Sequence, residues 1–599
     1  MLLALAAHAA AEPITLENVD RLAITWTYDT RDSIEPVGGQ GKPPAFEATP
    51  VYSEGRLYVS TPQGTVAALD AETGNEIWRI DLGVRRHGEY SDPANRGPTL
   101  HRERLYIGTI DSRLVCLEIR DGRRCAQFGQ NGEIDLTHGL RRSPQWHGEY
   151  GVTSPPAAYR DLIIVGSSVA DNGRTTMASG EVRAFDALTG KLRWTFHPLP
   201  EEVAAGGANA WSRMVVDEER GIVFVPTGSA SPDYFGGLRQ GSNEYANSIV
   251  ALDAASGKVV WHFQTVHHDL WDYDVASPPL LFPFEREGGS SIPAVAVGSK
   301  TGHVFLFERT TGKPLFPIVE RVVPASDIPG ESASRTQPFP TKPASLASQR
   351  VTEGDIWGPT AADREACLKM FRSLRNEGIF TPASLKGSLH VPGTIGGLHW
   401  GGIAWDPKHR LLIAPVNRLP TIARLIPQAE FDSARKAFPH HETTEQRGAP
   451  YAMSRHFFLG PSGLPCVAPP WGELVAVHAD TGELAWRVPL GDLREIGLGK
   501  KETGADHRPT GSPNLGGAAV TETGLLFIGA TLDPFLRAFD TRTGREVWKG
   551  RLPTSARATP LIFKTESGRQ MVAIAAGGHD TPLSKIDTKL VVFALAQEE

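Results

Sequence analysis

One hydrophobic pattern recurs along the chain and predicts strand–turn–strand units. An apolar run ends at Asp or a similar polar residue, Thr-Gly or Ser-Gly follows, and Trp stands four residues after the glycine. The Asp and Thr-Gly residues suit a tight turn, with glycine where φ is positive. The Trp opens the next strand and can fill the space between neighbouring sheets. Clear copies occupy 68–78, 184–194, 251–261, 476–486 and 538–548, and degenerate copies occupy 306–316 and 116–128.

A second pair of strands precedes most copies, as in 56–70 and 524–540. Four strands per copy are typical of a propeller blade. Seven visible copies and a hidden one around 401–417 predict eight blades. We therefore expect an all-β, eight-bladed β-propeller that forms a single domain over 13–599.

The stretch 313–400 carries no clear repeat, and 360–374 within it has a helical pattern. We interpret it as a long insertion over one face of the disc, where repeat proteins commonly carry function.

Composition narrows the class of protein. The 62 Gly and 46 Pro fit many turns, while 40% hydrophobic and 22% charged residues exclude a disordered or fibrous chain. The net charge of −7 comes without a basic block, so no nucleic-acid partner is expected. Four Cys without a CxxC motif exclude a disulfide scaffold and a thiolate zinc site. Cys116 and Cys125 either pair or remain free buried thiols.

The N-terminal residues 1–12 resemble the end of a signal peptide, with an apolar run before a small-residue cleavage site. The usual basic start is missing, so the alternative is a chance Ala/Leu run. The first interpretation predicts a periplasmic protein. No stretch contains the eighteen or so apolar residues that span a bilayer, so no membrane span is expected.

Chemistry concentrates outside the repeats. Residues 267–274 hold two His, three Asp and one Trp, which are costly in a strand-rich core unless a cation or substrate uses them. Asp272 and Asp274 would face the same side of a strand, so both could bind one metal, or one could act as a base. A solvated acidic loop is the alternative.

Three further segments carry candidate groups. Asp171 and Asn172 in GSSVADNGRTT are hard oxygen ligands suited to Ca²⁺, although Asp-Asn-Gly is also an ordinary turn. Lys300 precedes a Thr-Gly turn, where a surface role is common. His579 follows two glycines that allow close approach of the backbone.

Together these segments resemble the pyrroloquinoline quinone (PQQ) dependent dehydrogenases, above all the membrane-bound glucose dehydrogenase type, with quinate and polyol dehydrogenases close to it. The stretches that carry the resemblance are 265–274, 450–477, 511–530 and 558–595. The repeat resembles the tryptophan-docking motif of that family. The resemblance implies an eight-bladed propeller with PQQ near its axis. PQQ has three carboxylates and an ortho-quinone, so it needs cations, hydrogen-bonding groups and flat apolar faces.

The resemblance also implies site residues. Arg96 would pair a PQQ carboxylate, Trp211 would stack on the ring, and Lys300 would lie beside the quinone oxygens. Asp272 matches the catalytic base, with Lys300 stabilising the oxyanion. The implied metal ion is Ca²⁺, with another divalent ion or a lanthanide as alternatives. The implied PQQ contacts are Glu47, Arg96, Thr153, Ser168, Val169, Ala170, Trp211, Lys300, Asn417, Trp471, Asn514 and His579, and the implied metal contacts are Asp171, Asn172, Ser231 and Asp274.

The implied activity is hydride transfer from a glucose-like aldose to PQQ, with electrons passing on to a quinone or a c-type cytochrome. Quinate, a polyol or a simple alcohol is the alternative substrate. A non-catalytic propeller scaffold is the competing class, but it would not need the residues of the implied site.

Two departures from the family stand out. The methanol dehydrogenase branch has adjacent cysteines before its Asn-Arg-Gly, and this chain has none there, so their disulfide is excluded. The glucose dehydrogenase type has His where Asp92 stands, which leaves open what covers the second face of PQQ. That type also has an N-terminal block of transmembrane helices that this sequence does not show.

Overall fold

The computed structural model describes residues 12–36, 42–90, 92–498, 509–581 and 583–596, and almost all of the predicted leader 1–12 lies outside them. The all-β class is confirmed. Within the described residues, nine antiparallel sheets have three or four strands. Eight of them follow one another along the chain, and we number these sheets 1 to 8. No helix among these residues has the length and apolar character needed to cross a bilayer.

The strands alternate with tight turns. Sheet 1 contains Val51–Ser53, Arg56–Ser60, Thr65–Asp70 and Glu76–Asp81; sheet 2 contains Thr99–His101, Arg104–Gly108, Arg113–Glu118 and Glu133–Asp135. Sheet 3 contains Ala157–Tyr159, Leu162–Val165, Val182–Asp186 and Leu192–Phe196; sheet 4 contains Val215–Asp217, Ile222–Pro226, Ser248–Asp253 and Val259–Gln264.

Sheet 5 has three strands because its degenerate repeat ends in an isolated bridge at Pro314, which has no amide proton for a ladder. Its strands are Leu280–Glu285, Ser291–Gly298 and Val304–Glu308. Sheet 6 contains Ala404–Asp406, Leu411–Asn417, Gly472–His478 and Leu484–Pro489; sheet 7 contains Ala518–Val520, Leu525–Ile528, Phe535–Asp540 and Glu546–Arg551. Sheet 8 joins Leu22–Asp29 to Lys589–Leu595, Gln570–Ala576 and Leu561–Lys564.

The repeat tryptophans link consecutive sheets. Trp26 of sheet 8 donates its indole N–H to the Ala71 carbonyl of sheet 1 at 3.2 Å. A Cβ on Gly74 would lie 2.5 Å from the same indole, so the turn needs glycine both for this contact and for its φ of 73°. The other indole bonds of this kind run from Trp78 to Ile119, Trp194 to Ala254, Trp261 to Arg309 and Trp486 to Thr541.

Two insertions, rather than one, fold beside sheets 5 and 6. The first supplies the hairpin Ile318–Val322 and Thr336–Pro340, helix α1 (Ala361–Ser373) and the strand Ser388–His390. The helix confirms the sequence prediction. The second, which was not predicted, interrupts sheet 6 between Asn417 and Gly472.

The two insertions meet in one sheet, which we call the insertion sheet. Ser388–His390 pairs with Thr421–Pro427, which pairs with Tyr451–Phe457, which pairs with Glu442–Thr444. The remaining elements are short. They are helix α2 (Phe431–Ala437), the 3-10 turns Val19–Arg21, Glu353–Asp355, Gln428–Glu430 and Leu493–Ile496, and the two-residue pairs Ala45–Phe46 with Ala94–Asn95 and Tyr150–Gly151 with Ser168–Val169.

All four cysteines are paired. Cys116 bonds Cys125 within sheet 2, which settles the open alternative, and Cys367 of α1 bonds Cys466. The second disulfide ties the first insertion to the end of the second.

Replacing both Cys367 and Cys466 by serine should lower the free energy of unfolding by about 2–4 kcal/mol, since this disulfide closes a loop of 99 residues. The matched control is the double serine variant of Cys116 and Cys125. Their disulfide closes a loop of only 9 residues, so its loss should lower the free energy of unfolding by less. Urea unfolding of both variants measures the difference. Equal losses would show that loop closure does not govern the effect.

Candidate functional site

The segment 267–279 forms a buried loop between sheets 4 and 5, not the strand that the Asp spacing predicted. Buried Asp269 shapes it, because its carboxylate accepts hydrogen bonds from the Asp272 amide at 2.9 Å and from the Tyr273 amide at 3.2 Å. Asp272 has a φ of 63° in the left-handed region, which is strained for a residue with a side chain. This turn still brings the carboxylates of Asp272 and Asp274 to one common partner.

That group is Lys300, which follows the second strand of sheet 5. Its Nζ lies 2.6 Å from Asp272 Oδ1 and 2.8 Å from Asp274 Oδ2. The lysine is 8% exposed. Burial opposes its charge, but the two carboxylates outweigh burial and raise the pKa of Lys300. The ammonium therefore stays charged at neutral pH.

Asp274 holds the pocket together. Its Oδ1 accepts from the amide and hydroxyl of Ser229 at 2.8 and 3.1 Å, and its Oδ2 accepts from Lys300 and from Trp211 Nε1 at 3.2 Å. A carboxylate offers about four lone-pair sites, and here all are used. This geometry favours a positioning role for Asp274 over metal ligation.

The other oxygen of Asp272 faces residues that the sequence analysis did not identify. Arg455 donates from Nη1 to Asp272 Oδ2 at 2.7 Å and to the Tyr234 hydroxyl at 3.0 Å. Its other side makes two 2.8 Å bonds to Glu442. Burial raises the pKa of the Asp272 carboxyl, Lys300 opposes this, and Asp274 adds to it. The available signal was that Arg455 is the one Arg or Lys within the strand Tyr451–Phe457.

A second acidic group lies close to these carboxylates. Burial, followed by the charges of Asp272 and Asp274, raises the pKa of Asp171 to about 8. Burial and then Asp171 raise the pKa of Asp233 well above its usual range. Asp233 Oδ2 accepts from Asn172 Nδ2 at 2.6 Å, whereas Oδ1 is buried with no hydrogen-bond partner among the described residues. The excess of buried negative charge favours a bound cation.

The Ser231 hydroxyl bonds to main-chain groups and not to Asp171 or Asp233. Its hydroxyl accepts from the Gly206 amide at 3.0 Å and donates to the Thr175 carbonyl at 3.3 Å. In the part of the chain that the structure describes, no three or more His, Cys, Asp or Glu side chains are arranged to hold a metal ion. The predicted metal contacts stay predictions.

Arg96 lies close to the rings of two tryptophans, Trp211 and Trp400. Its Cζ stands 5.4 Å from the Trp211 ring centroid and 4.7 Å from that of Trp400. Its Nη1 donates to Thr153 Oγ1 at 2.8 Å, and its Nη2 lies 3.3 Å from Asp92. The sequence analysis overlooked Trp400, whose signal was an aromatic residue placed directly before two glycines.

Glu47 joins Arg96 to a second arginine. Its carboxylate lies 3.0 Å from Arg96 Nε and 2.5 Å from Arg557 Nη2, and it is 1% exposed. Arg557 was not predicted. Because Asp92 also pairs with Arg96, two arginines and two carboxylates balance in charge in this cluster.

His579 shares this environment. Its Nδ1 lies 2.7 Å from Ser555 Oγ, and its Nε2 is buried with no hydrogen-bond partner in the described ranges. Burial and then Arg557 lower the pKa of His579 well below its usual range, so the ring is neutral. Asn417 and Asn514 pair with each other, with Asn417 Nδ2 donating to the Asn514 carbonyl at 2.9 Å.

Trp471 adjoins Asn417 through its main chain, since its carbonyl accepts from the Arg418 amide at 2.9 Å, but its indole has other partners. It is fully buried, donates from Nε1 to the Val467 carbonyl at 2.8 Å and packs against Trp357 with ring centroids 5.8 Å apart. Ser168 and Val169 form a short strand paired with 150–151, and Ala170 bonds to Glu149 through its amide.

The comparisons with known proteins agree with one another. The family model "PQQ: Glucose/ethanol/alcohol dehydrogenase, beta-propeller domain" matches residues 4–572. The quinate/shikimate dehydrogenase (quinone) of Acinetobacter baylyi is 34% identical over 95% of this chain and 75% of its own length. Quinoprotein glucose dehydrogenase A of Acinetobacter calcoaceticus is 33% identical over 98% of this chain and 77% of its own. The quinohemoprotein alcohol dehydrogenase structure from Comamonas testosteroni shares the fold, with a TM-score of 0.69, 23% identity, and coverage of 99% and 79%.

Proposed function

The chain belongs to the family of PQQ-dependent glucose, ethanol and alcohol dehydrogenase β-propellers, and we propose that it oxidises a CH–OH group of a polyhydroxylated compound. A glucose-like aldose is one such substrate, and quinate or another polyol is the equal alternative, since named relatives of both kinds match similarly well. The observation that carries the proposal is the buried constellation of Lys300, Asp272, Asp274 and Trp211.

The arginine and indole groups fit PQQ. A planar tricarboxylate needs flat faces and cations, and Arg96 lies against the rings of Trp211 and Trp400. The buried, unpartnered Nε2 of His579 is a further group for such a ligand. We propose that these residues and Lys300 hold PQQ, which supplies the acceptor for the substrate hydride when it is bound.

The acidic group fits a cation, because Oδ1 of Asp233 is buried without a hydrogen-bond partner among the described residues and the pKa of Asp171 is raised to about 8. We propose that Asp171 and Asp233, with Asn172, hold it. Ca²⁺ suits these oxygen ligands, and another divalent ion or a lanthanide is the alternative. A cation here would act as a Lewis acid.

Asp272 is the proposed general base. Lys300 and Arg455 each occupy one of its oxygens, so about two of its four lone-pair sites remain for a substrate hydroxyl proton. Lys300 supplies positive charge where negative charge develops, and Asp274 fixes its position.

We also propose that sheets 1 to 8 are eight propeller blades and that the protein acts in the periplasm, with a quinone or a c-type cytochrome as acceptor. The two disulfides support an oxidising compartment. The pairing of Leu22–Asp29 with Lys589–Leu595 supports closure of a disc.

The test is reconstitution with PQQ and Ca²⁺, followed by absorbance scans and dye reduction with aldoses, quinate, glycerol and simple alcohols. We expect a bound-quinone spectrum and dye reduction with at least one polyhydroxylated compound. A protein that neither takes up PQQ nor reduces dye with any of them would be a scaffold.

Replacing Arg96 by methionine should weaken PQQ binding by about 10- to 100-fold, because hydrogen bonds to charged groups contribute about 1.5–3 kcal/mol. Equilibrium dialysis with PQQ measures the dissociation constant. Arg410→Met is the matched control, since Arg410 pairs with Asp480 on the outside of the protein. An unchanged constant in Arg96→Met would remove Arg96 from the cofactor site.

A further inference from the structure

His390 is a buried histidine whose ring makes no hydrogen bond to any residue that the structure describes. It ends the first strand of the insertion sheet and is 2% exposed. Within the described residues, neither Nδ1 nor Nε2 has a hydrogen-bond partner. Buried polar side chains almost always have partners, so two unpaired nitrogens on one ring point to a ligand or to ordered water.

The ring is linked to the proposed base through Tyr234 and Arg455. It stacks on Tyr234, with centroids 6.1 Å apart and planes at 5°. The Tyr234 hydroxyl shares Arg455 Nη1 with Asp272, at 3.0 and 2.7 Å respectively. His390 and Arg455 both belong to the insertion sheet. This sheet therefore brings two polar groups to the base that sheets 1 to 8 do not supply.

The protonation state of His390 indicates what it can bind. Burial, followed by the charge of Arg455, lowers its pKa to about 3, so the ring is neutral. A neutral imidazole has one N–H donor and one acceptor nitrogen. A hydroxyl group also donates and accepts, whereas a carboxylate only accepts and an ammonium only donates. Either nitrogen can therefore bond a hydroxyl group, the N–H nitrogen by donating and the other nitrogen by accepting.

Resting on the proposed dehydrogenase function, we propose that His390 binds a second hydroxyl group of the substrate, beside the CH–OH group that reacts at Asp272. The enzyme would then select compounds with neighbouring hydroxyls, such as sugars and cyclic polyols, over simple alcohols. A simple alcohol would leave the buried imidazole unpaired, which is costly. Arg455, which pairs with the more exposed Glu442, is the second group that the insertion sheet brings to Asp272.

The test uses the PQQ- and Ca²⁺-loaded protein with His390→Phe and His390→Asn. Substrates are a polyhydroxylated compound that the unaltered enzyme oxidises and its analogue lacking the hydroxyl next to the reacting carbon. We expect His390→Phe to reduce the preference for the full compound about 10- to 100-fold, through KM rather than kcat. His390→Asn, which keeps a donor and an acceptor, should recover part of it. The absorbance of bound PQQ should not change.

Calorimetric titration with the same two compounds gives a readout that needs no turnover. If His390 only packs against Tyr234, His390→Phe will keep both the KM ratio and the ratio of dissociation constants, which overturns the proposal. Failure of the proposed function has a different signature, namely no dye reduction by the unaltered protein. In that case the titration uses glucose and 2-deoxyglucose, which are chosen without reference to turnover, and the ratio of their dissociation constants decides the role of His390. Thermal unfolding of both variants identifies a folding defect, and His390→Asn then carries the test.

Discussion

Replacing Asp272 by asparagine should lower kcat by about 10²–10⁴-fold while PQQ remains bound. The amide keeps the shape of the carboxylate, but it cannot accept the hydroxyl proton of the substrate, and general base catalysis contributes about this factor. Lys300 and Arg455 donate to different oxygens of Asp272, and the amide has only one acceptor oxygen, so one of the two cations loses this bond. Dye reduction by PQQ-saturated protein gives kcat, and the absorbance of bound quinone reports cofactor occupancy.

Asp480→Asn is the matched control. Asp480 also pairs with an arginine, Arg410, but it lies in the half-buried turn after the strand Gly472–His478 of sheet 6. It should turn over like the unaltered enzyme. Full activity in Asp272→Asn would show that another group takes the proton.

Replacing Lys300 by methionine should cost both stability and rate. The substitution leaves Asp272 and Asp274 buried and facing each other without their shared cation. Breaking a buried ion pair in this way costs about 3–5 kcal/mol. Loss of a preorganised electrostatic group in an active site costs about 10²–10³-fold in kcat. Urea unfolding and dye reduction by PQQ-loaded protein measure the two effects.

Lys549→Met provides the comparison for stability, because Lys549 pairs with Glu495 at the surface and should contribute only about 0–1 kcal/mol. Lys300→Arg keeps the charge and should recover part of the stability. Equal unfolding free energies for Lys300→Met and Lys549→Met would mean that the buried pair contributes no more than an exposed one.

The repeat pattern predicted the sheets well, because each copy shows both the strands and the turn residues locally. In several copies the turn glycine contacts the Trp of the preceding sheet, as Gly257 contacts Trp194. The pairing of strands in the insertion sheet could not be predicted from the sequence. Its strands Ser388–His390 and Thr421–Pro427 come from separate insertions, and no local pattern in either one indicates the other as its partner.

The candidate site likewise contains residues that were predicted and residues that were not. Asp272, Asp274, Lys300 and Trp211 were predicted from family resemblance, and the structure brings them together. Arg455 was not, because its position depends on the insertion sheet. The shape of the loop at Asp272 was also unpredictable, since a strand was expected and buried Asp269 instead favours a left-handed turn.

The pairing of Leu22–Asp29 with Lys589–Leu595 has a consequence for biogenesis. Its register joins Leu22 to Leu595, so the last sheet cannot form until nearly the whole chain has been synthesised. Contacts between such distant residues slow folding, although the entropy of closing a long loop grows only with the logarithm of its length. Until then, the early strand leaves unpaired backbone groups that can associate with other chains. A newly made chain would therefore benefit from a chaperone that holds this strand until its late partner arrives.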